Sequence, residues 1–446
     1  MRAAFIFQTI RISSGLAGFV LLAAAATALA QPTIPLPPLP SGVGPLPNMV
    51  DRYPGRPSLA PAITIPAGPL GFSVPGENYL LRRQSLVSLD FLDEDRILFT
   101  FRVSGLLERD AGDNSDDKRQ QIQALLLSLP SGNVEARATW TVPDRSRYLW
   151  MLNDGHFLLR VPDGLDEGDA KLQMKTYLRL PGRLLWIEMD PRQQVMITNS
   201  VEPATAVDKV GQPGPPVADQ AAATTDGQKL GQQSVLVIRT QKMATGEVTH
   251  ESREPWADQT SDWPMNSEGY LEKFQYGGIH WLLNFHDFSG ATRFLTRLDS
   301  TCPLTYNFVS DSELLLATCD PDNGWKLRAM LSYGLSLWEK RIGSNAMFPL
   351  LVTASNSSRV ARETLLLKRS ADKYKRMIGG GDLEGQVVKV FDAANGNVVL
   401  EAPLTPILDG GGNVAISPSG QRVAILNAGA IQVFQLPAAP PVPGSH

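Results

Sequence analysis

Gly412–Leu436 reads GNVAISPSGQRVAILNAGAIQVFQL. Two short apolar runs, Val414–Ile416 and Val423–Leu426, flank the turn Ser417-Pro418-Ser419-Gly420, and a third run, Ile431–Phe434, follows the small-residue connection Asn427-Ala428-Gly429. Runs this short, rich in Val and Ile and bounded by Gly, Pro, Ser and Asn, are strands rather than helices. Strand, tight turn, strand, short loop, strand is most of one unit of a radially repeated sheet.

The unit recurs upstream. Hairpin-like stretches occur at Leu89–Phe101, Tyr148–Val161, Leu185–Thr198, Leu271–Phe285, Tyr306–Cys319 and Phe348–Leu367, turning at Asp93-Glu94-Asp95, Asn153-Asp154-Gly155, Asp190-Pro191, Gly277-Gly278, Ser310-Asp311 and Ser355-Asn356-Ser357. Most are followed by a second strand pair, as at Ala124–Leu129, Val235–Thr240 and Val387–Phe391. Four strands per unit at a spacing of roughly 40 to 60 residues is the pattern of a β-propeller, here with seven blades of four antiparallel strands. A β-sandwich lacks the fourfold-strand repeat, a β-helix has much shorter coils, and period-3.6 apolar stretches are nearly absent. The border at Lys171–Arg183 is short enough that an outer strand could be missing there.

The last unit ends after its third strand, so an edge is left to be paired, because open edges invite aggregation. Residues around Tyr79–Val87 are the expected donor, and the ring then spans 79–437. Ahead of it, residues 31–78 are dominated by proline, which removes a backbone donor and fixes φ; they read as an extended, disordered spacer. Residues 438–446 read as a disordered tail.

Asn413–Leu436 and Val387–Val399 (VVKVFDAANGNVV) resemble the repeats of WD-repeat-like and YVTN-type propellers, in which a D-x-x-x-G turn alternates with an S-P-x-G turn. The wider pattern, with FLDEDRILFTF, WIEMDP, LDSTCP and FDAANGNVVLEAP, resembles uncharacterised exported proteins of acidobacteria. The resemblance implies the fold and is nearly silent on activity. The Trp-Asp dipeptide that ends true WD repeats is absent.

The N-terminus points to export. Arg2 and Arg11 precede a mostly apolar stretch, Ile12–Leu22, then Ala23–Ala26 and Ala28-Leu29-Ala30. That is a signal peptide over residues 1–30, cleaved before Gln31. No later segment approaches the apolar length of a membrane span. The mature protein is expected to be soluble and periplasmic or extracellular. With 446 residues, 43% of them hydrophobic, a large core is within reach, and a net charge of −4 argues against nucleic acid as partner.

Few residues carry a chemical signal. A two-residue loop at Ser310-Asp311 would set Cys302 across from Cys319, and in an oxidising compartment they should be bridged. His280 and His286 share a strand face at a separation too great for one ion, and Asp113–Asp117 lacks the glycine and glutamate of a calcium loop. No metal or cofactor is expected. There is no G-x-S-x-G elbow, P-loop or dinucleotide fingerprint.

Loop length is the functional hint. The connections Ser104–Gln120, Pro162–Ala170, Asn199–Gln233 and Lys368–Gly385 are long, with Asn199–Gln233 a disordered insertion, and all emerge on one face with the long blade connection His250–Tyr270. Insertions gathered on one face mark a binding face. Its possible contacts are Trp263 and the basic cluster Lys368, Arg369, Lys373, Lys375 and Arg376. The expected function is a non-enzymatic binding or scaffolding module, a monomer that presents this face to a protein, glycan or cell-envelope partner. The alternative is an enzyme at the channel mouth, a quinoprotein-like oxidoreductase or a polysaccharide lyase or hydrolase.

Overall fold

The computed structural model describes residues 48–50, 58–75, 85–103, 119–143, 147–205, 234–255, 263–320, 324–343, 350–355, 357–368, 380–408 and 410–438. All lie in the compact unit Leu46–His446; the other unit, Met1–Pro45, is outside them and holds the expected signal peptide. The tail from residue 439 onward and most of the expected spacer are outside as well.

The fold is all-β, a seven-bladed propeller with two 3-10 turns among the described residues, Gly68–Leu70 and Gly380–Asp382. Blades 1 to 3 are meanders of four strands: 88–91, 96–102, 119–128 and 134–143; then 149–151, 157–161, 164–168 and 174–179; then 183–189, 195–203, 234–242 and 248–255. Blade 5 comprises 305–308, 313–320, 324–331 and 336–343, and blade 6 comprises 350–353, 359–367, 383–392 and 398–404. Blade 7 is formed by 414–416, 422–427 and 430–435 plus one strand from the N-terminal side.

Strands are apolar on both faces because each blade is packed between two others. Along the second strand of blade 1, Ile97, Phe99 and Phe101 point into the core shared with blade 7, whereas Leu98 points into the core shared with blade 2. The same division runs round the ring, one core wedge per pair of neighbours. Period-2 alternation therefore sorts side chains between neighbours rather than between core and water. At the junction of blades 7 and 1, Gly412 adopts φ +98°, and a Cβ there would collide with the Val87 carbonyl. Only glycine fits this approach.

The ring is closed by an N-terminal strand, as expected, but by one upstream of the expected segment Tyr79–Val87. The strand that completes blade 7 is Ile63–Pro66, antiparallel to Ala430–Gln435 with Ile63 opposite Val433 and Pro66 opposite Ala430. Residues 85–87 instead lead into the first strand of blade 1. Proline is tolerated at the end of an outermost strand, where one side of the ladder faces solvent, and Ile65 is buried in the wedge between blades 7 and 1. The reading of 31–78 as one disordered spacer overlooked the alternation in Ala62-Ile63-Thr64-Ile65. Two more parts of that segment touch the ring. Asn48–Val50 runs parallel to Glu339–Arg341 at the outer edge of blade 5, and Ser58 exchanges hydrogen bonds with Glu401 of blade 6, its amide donating to the carbonyl and its Oγ accepting from the amide at 2.9 Å.

Blade 4 has a shifted phase. Its ladder strands are 269–277, 280–287 and 292–299, and its innermost strand is reduced to a bridge between Met265 and Tyr270. The inner turn is Asn266–Gly269, where Asn266 Oδ1 accepts from the amides of Glu268 and Gly269. Asn266 and Ser267 bond to Asp311 in the inner turn of blade 5, which aligns the two turns. Hairpin Leu271–Phe285 is thus the second and third strands of its blade, not the first and second. The border Lys171–Arg183 does hold an outer strand, Met174–Arg179, bulged after Thr176.

Buried polar groups fasten neighbouring blades. Arg359 of blade 6 is only 1% exposed. It pairs with Asp392 of its own blade, and it donates to the carbonyls of Gly420 in blade 7 and of Pro437 and Ala438 beyond it. Trp338 Nε1 of blade 5 donates to the Ala393 carbonyl of blade 6. Ser419 donates its amide to Glu94 Oε1 across the closing seam.

Ile65→Ala is expected to lower unfolding stability by about 2–4 kcal/mol through the cavity it leaves, whereas Val74→Ala, at an exposed position nearby, should change it by less than about 0.5 kcal/mol. Chemical denaturation of both variants checks this; equal midpoints would mean that Ile63–Pro66 does not close the ring.

Candidate functional site

Of the expected contact residues, only Lys368 and Trp263 are among the described residues. Arg369, Lys373, Lys375 and Arg376 lie outside the described residues. Lys368 is exposed, and its ammonium donates to the Gly381 carbonyl at 2.8 Å. Trp263 is half-buried with its ring 5.9 Å from Tyr270, inside the wedge between blades 3 and 4. The loops also differ from expectation. Pro162-Asp163 is a two-residue turn into strand Gly164–Gly168, and the strand of blade 3 continues through Asn199 to Pro203. Residues 104–118, 206–233 and 256–262 are outside the described set.

Cys302 and Cys319 form a disulfide with Cα atoms 5.6 Å apart, but not by the expected ladder. The inner turn of blade 5 is longer than two residues, with the Val309 amide donating to the Glu313 carbonyl. The ladder therefore pairs Thr305 with Ala317, one residue out of step with the expectation, and stops there. The link from blade 4 instead bends back onto Cys319. Thr301 donates its amide to the Cys319 carbonyl, while Ser300 Oγ accepts from the Cys319 amide and donates to the Cys302 carbonyl. The bridge is structural, tying the link between blades 4 and 5 to a core strand.

A buried acid sits between blades 6 and 7. Glu363 is 1% exposed, and its Oε2 accepts from Gln386 Nε2 at 3.1 Å. Gln386 also clasps the Leu408 main chain, its Oε1 accepting and its Nε2 donating, and accepts from Asn413 Nδ2. Glu363 Oε1 and Asn413 Oδ1 have no hydrogen-bond partner among the described residues. Burial without a cation pushes the Glu363 carboxyl up to about 8. Glu313 in blade 5 is raised by the same cause. No group of three metal-ligating side chains comes together among the described residues.

The feature that the sequence reading missed is on blade 4. Four aromatic side chains are exposed among the described residues: Phe274 at 56%, Tyr276 at 41%, Phe294 at 55% and Tyr333 at 58%. The first three belong to blade 4, and Tyr333 adjoins it, because Arg293 of blade 4 donates to the neighbouring Ser332 carbonyl. One face of blade 4, with Leu283, Phe285, Leu295 and Leu298, packs against blade 5. The opposite face carries rows set by the ladder: Tyr270, His286 and Thr292; then Glu272, Asn284 and Phe294; then Phe274, Leu282 and Arg297. The first row meets blade 3, where Tyr270 enters the shared core. The second and third rows rise beyond it. Their polar groups are largely paired, with His286 Nε2 2.8 Å from Glu272, His280 Nδ1 2.8 Å from Asp299, and the Arg297 guanidinium 5.5 Å from the Tyr276 ring centre. Alternation over Phe274, Tyr276 and Leu282 was legible as strand pattern, but the uncovered face was not, because the alternation is the same whether a neighbouring blade or water lies against it.

No family model matches the chain, and no curated protein matches it. Among solved structures it is similar to an acylaminoacyl peptidase of Pyrococcus horikoshii, at 11% identity over 80% of this chain and 52% of that one, with a TM-score of 0.44. It is also similar to a chain of the Mitotic Checkpoint Complex, at 8% identity over 90% of this chain and 98% of that one, with a TM-score of 0.41. Hsv2 of Kluyvelomyces marxianus is similar at 12% identity over 63% of this chain and 68% of that one, with a TM-score of 0.36. The chain spans about half the length of the peptidase. Likenesses this remote carry nothing about activity.

Two stability measurements follow from the buried groups. The folded state holds a proton on Glu363 that the unfolded chain releases near 4.5. Its contribution is thus complete below that pH and is lost as pH rises towards 8, by about 3 kcal/mol at neutrality and on the order of 5 kcal/mol once both states are ionised. Glu363→Gln should therefore melt higher than the wild type at pH 8.5 and no higher at pH 4.5; parallel pH profiles would show that Glu363 is not held protonated. Replacing both cysteines with serine opens a loop of sequence separation 17 and should cost about 3 kcal/mol, read as a lower denaturation midpoint that added reductant does not shift further.

Proposed function

We propose that the protein is an exported, non-enzymatic binding module, and that its recognition surface is the uncovered face of blade 4. The observation that carries this reading is the concentration of exposed aromatic side chains there. A protein that only had to stay folded and soluble would bury Phe274 and Phe294, because rings of this size contribute most when removed from water. An apolar patch kept open amid polar groups is the usual mark of an interaction site. The partner is a protein, a glycan or a cell-envelope component.

Export is supported by the signal-peptide pattern over residues 1–30 and by the disulfide, which persists in oxidising compartments. Among the described residues no helix is long and apolar enough to cross a membrane.

Beads carrying the wild-type protein should retain material from the exported fraction of the source cells that beads carrying Phe274→Ala/Phe294→Ala do not, and equal retention by both would remove blade 4 as the binding face. N-terminal sequencing of the protein recovered from that fraction should begin at Gln31; recovery only from the cytoplasm would sink the export reading.

A further inference from the structure

We propose that the uncovered face of blade 4 binds an extended, neutral polysaccharide chain; this rests on the reading of that face as a binding surface. Three properties point to that class of ligand. The first is size. The uncovered rows span three strands and about five residues, roughly 10 Å by 17 Å from strand spacing and rise. That is well below the roughly 800 Å² that each partner contributes to a stable protein interface. It suits a narrow chain rather than a globular surface.

The second is charge. Glu272 is hydrogen-bonded to His286 and Asp299 to His280, and the Arg297 guanidinium lies over the Tyr276 ring. Charges of both signs set side by side leave no strong single-sign field to draw an anionic or cationic partner. The third is the arrangement of rings and polar groups. Phe274 and Phe294 stand on one pleated face, two strands and two residues apart by ladder register, a Cα separation of roughly 12 Å. That is the reach of a short run of linked pyranose rings. The C–H faces of such rings are apolar and stack on aromatic side chains, and their hydroxyl groups both donate and accept hydrogen bonds. Between and beside the two phenylalanines lie Asn284, Glu272, His286 and Arg297, which supply both kinds of partner.

The test is native electrophoresis of the full chain in gels that each contain one polysaccharide: mixed-linkage β-glucan, xylan, galactomannan, amylose, or anionic alginate. The wild type should be retarded in at least one neutral gel. Phe274→Ala/Phe294→Ala should migrate as in a blank gel, a loss of at least tenfold in apparent affinity. Phe274→Leu/Phe294→Leu, which keeps apolar area but removes both rings, should lose retardation as well. Val398→Ala, at an exposed position on blade 6, should behave as wild type, and melting curves confirm that every variant is folded.

Absence of retardation in all neutral gels overturns the proposal, as does retardation that survives in the alanine pair or the leucine pair. Retardation by alginate alone that the alanine pair abolishes rejects a neutral ligand but keeps blade 4 as a binding face. Self-association in sedimentation velocity that the alanine pair abolishes assigns the face to a second copy of this chain and overturns the glycan. If Val398→Ala also loses retardation, the binding site is not on blade 4.

Discussion

A twisted sheet that is apolar on both faces cannot stand alone in water, and the inner strands of most blades are of that kind. Each blade is stable only between two others, so the chain must form a ring and the ring must close. Closure is the constraint from which the other features follow. It is met by a strand from the far end of the sequence, Ile63–Pro66, which joins blade 7 and inserts Ile65 into the core shared with blade 1. Pairing residues so distant in sequence is entropically costly, and the seam is reinforced by polar contacts such as Ser419 to Glu94.

The same logic explains where polar groups are buried. Arg359 and Gln386 lie between blades because the segments that join or cap the wedges carry main-chain groups that need partners once water is excluded. Arg359 supplies donors to three carbonyls from Gly420 to Ala438, and Gln386 serves Leu408 and Asn413. Glu363 is the exception, held beside Gln386 with one oxygen unpartnered among the described residues. Its place in the wedge makes the contact between blades 6 and 7 sensitive to pH rather than stronger.

Blade 4 departs from the rule that both faces are covered. Its innermost strand has shrunk to a bridge at Met265, and only the row nearest its inner turn reaches the core of blade 3. The rows above it keep the alternating pattern of a packed strand without the neighbour that would pack on them. A surface that is shaped for burial but left open is where this propeller differs from a purely structural ring, and it links the architecture to the proposed binding role.

Strand pattern and turn chemistry were enough to identify the fold and its seven units, because short Val- and Ile-rich runs between Gly, Pro, Asn and Ser turns encode hairpins locally. The pairing of Cys302 with Cys319 was also legible, although the bend at Ser300–Leu304, not ladder register, brings them together. Closure by Ile63–Pro66, the shifted phase of blade 4, the clasp around Arg359 and the open aromatic face were decided only by the tertiary structure. Each depends on which distant strand lies beside which, and period-2 alternation is the same whether the facing side is covered by a neighbouring blade or by water.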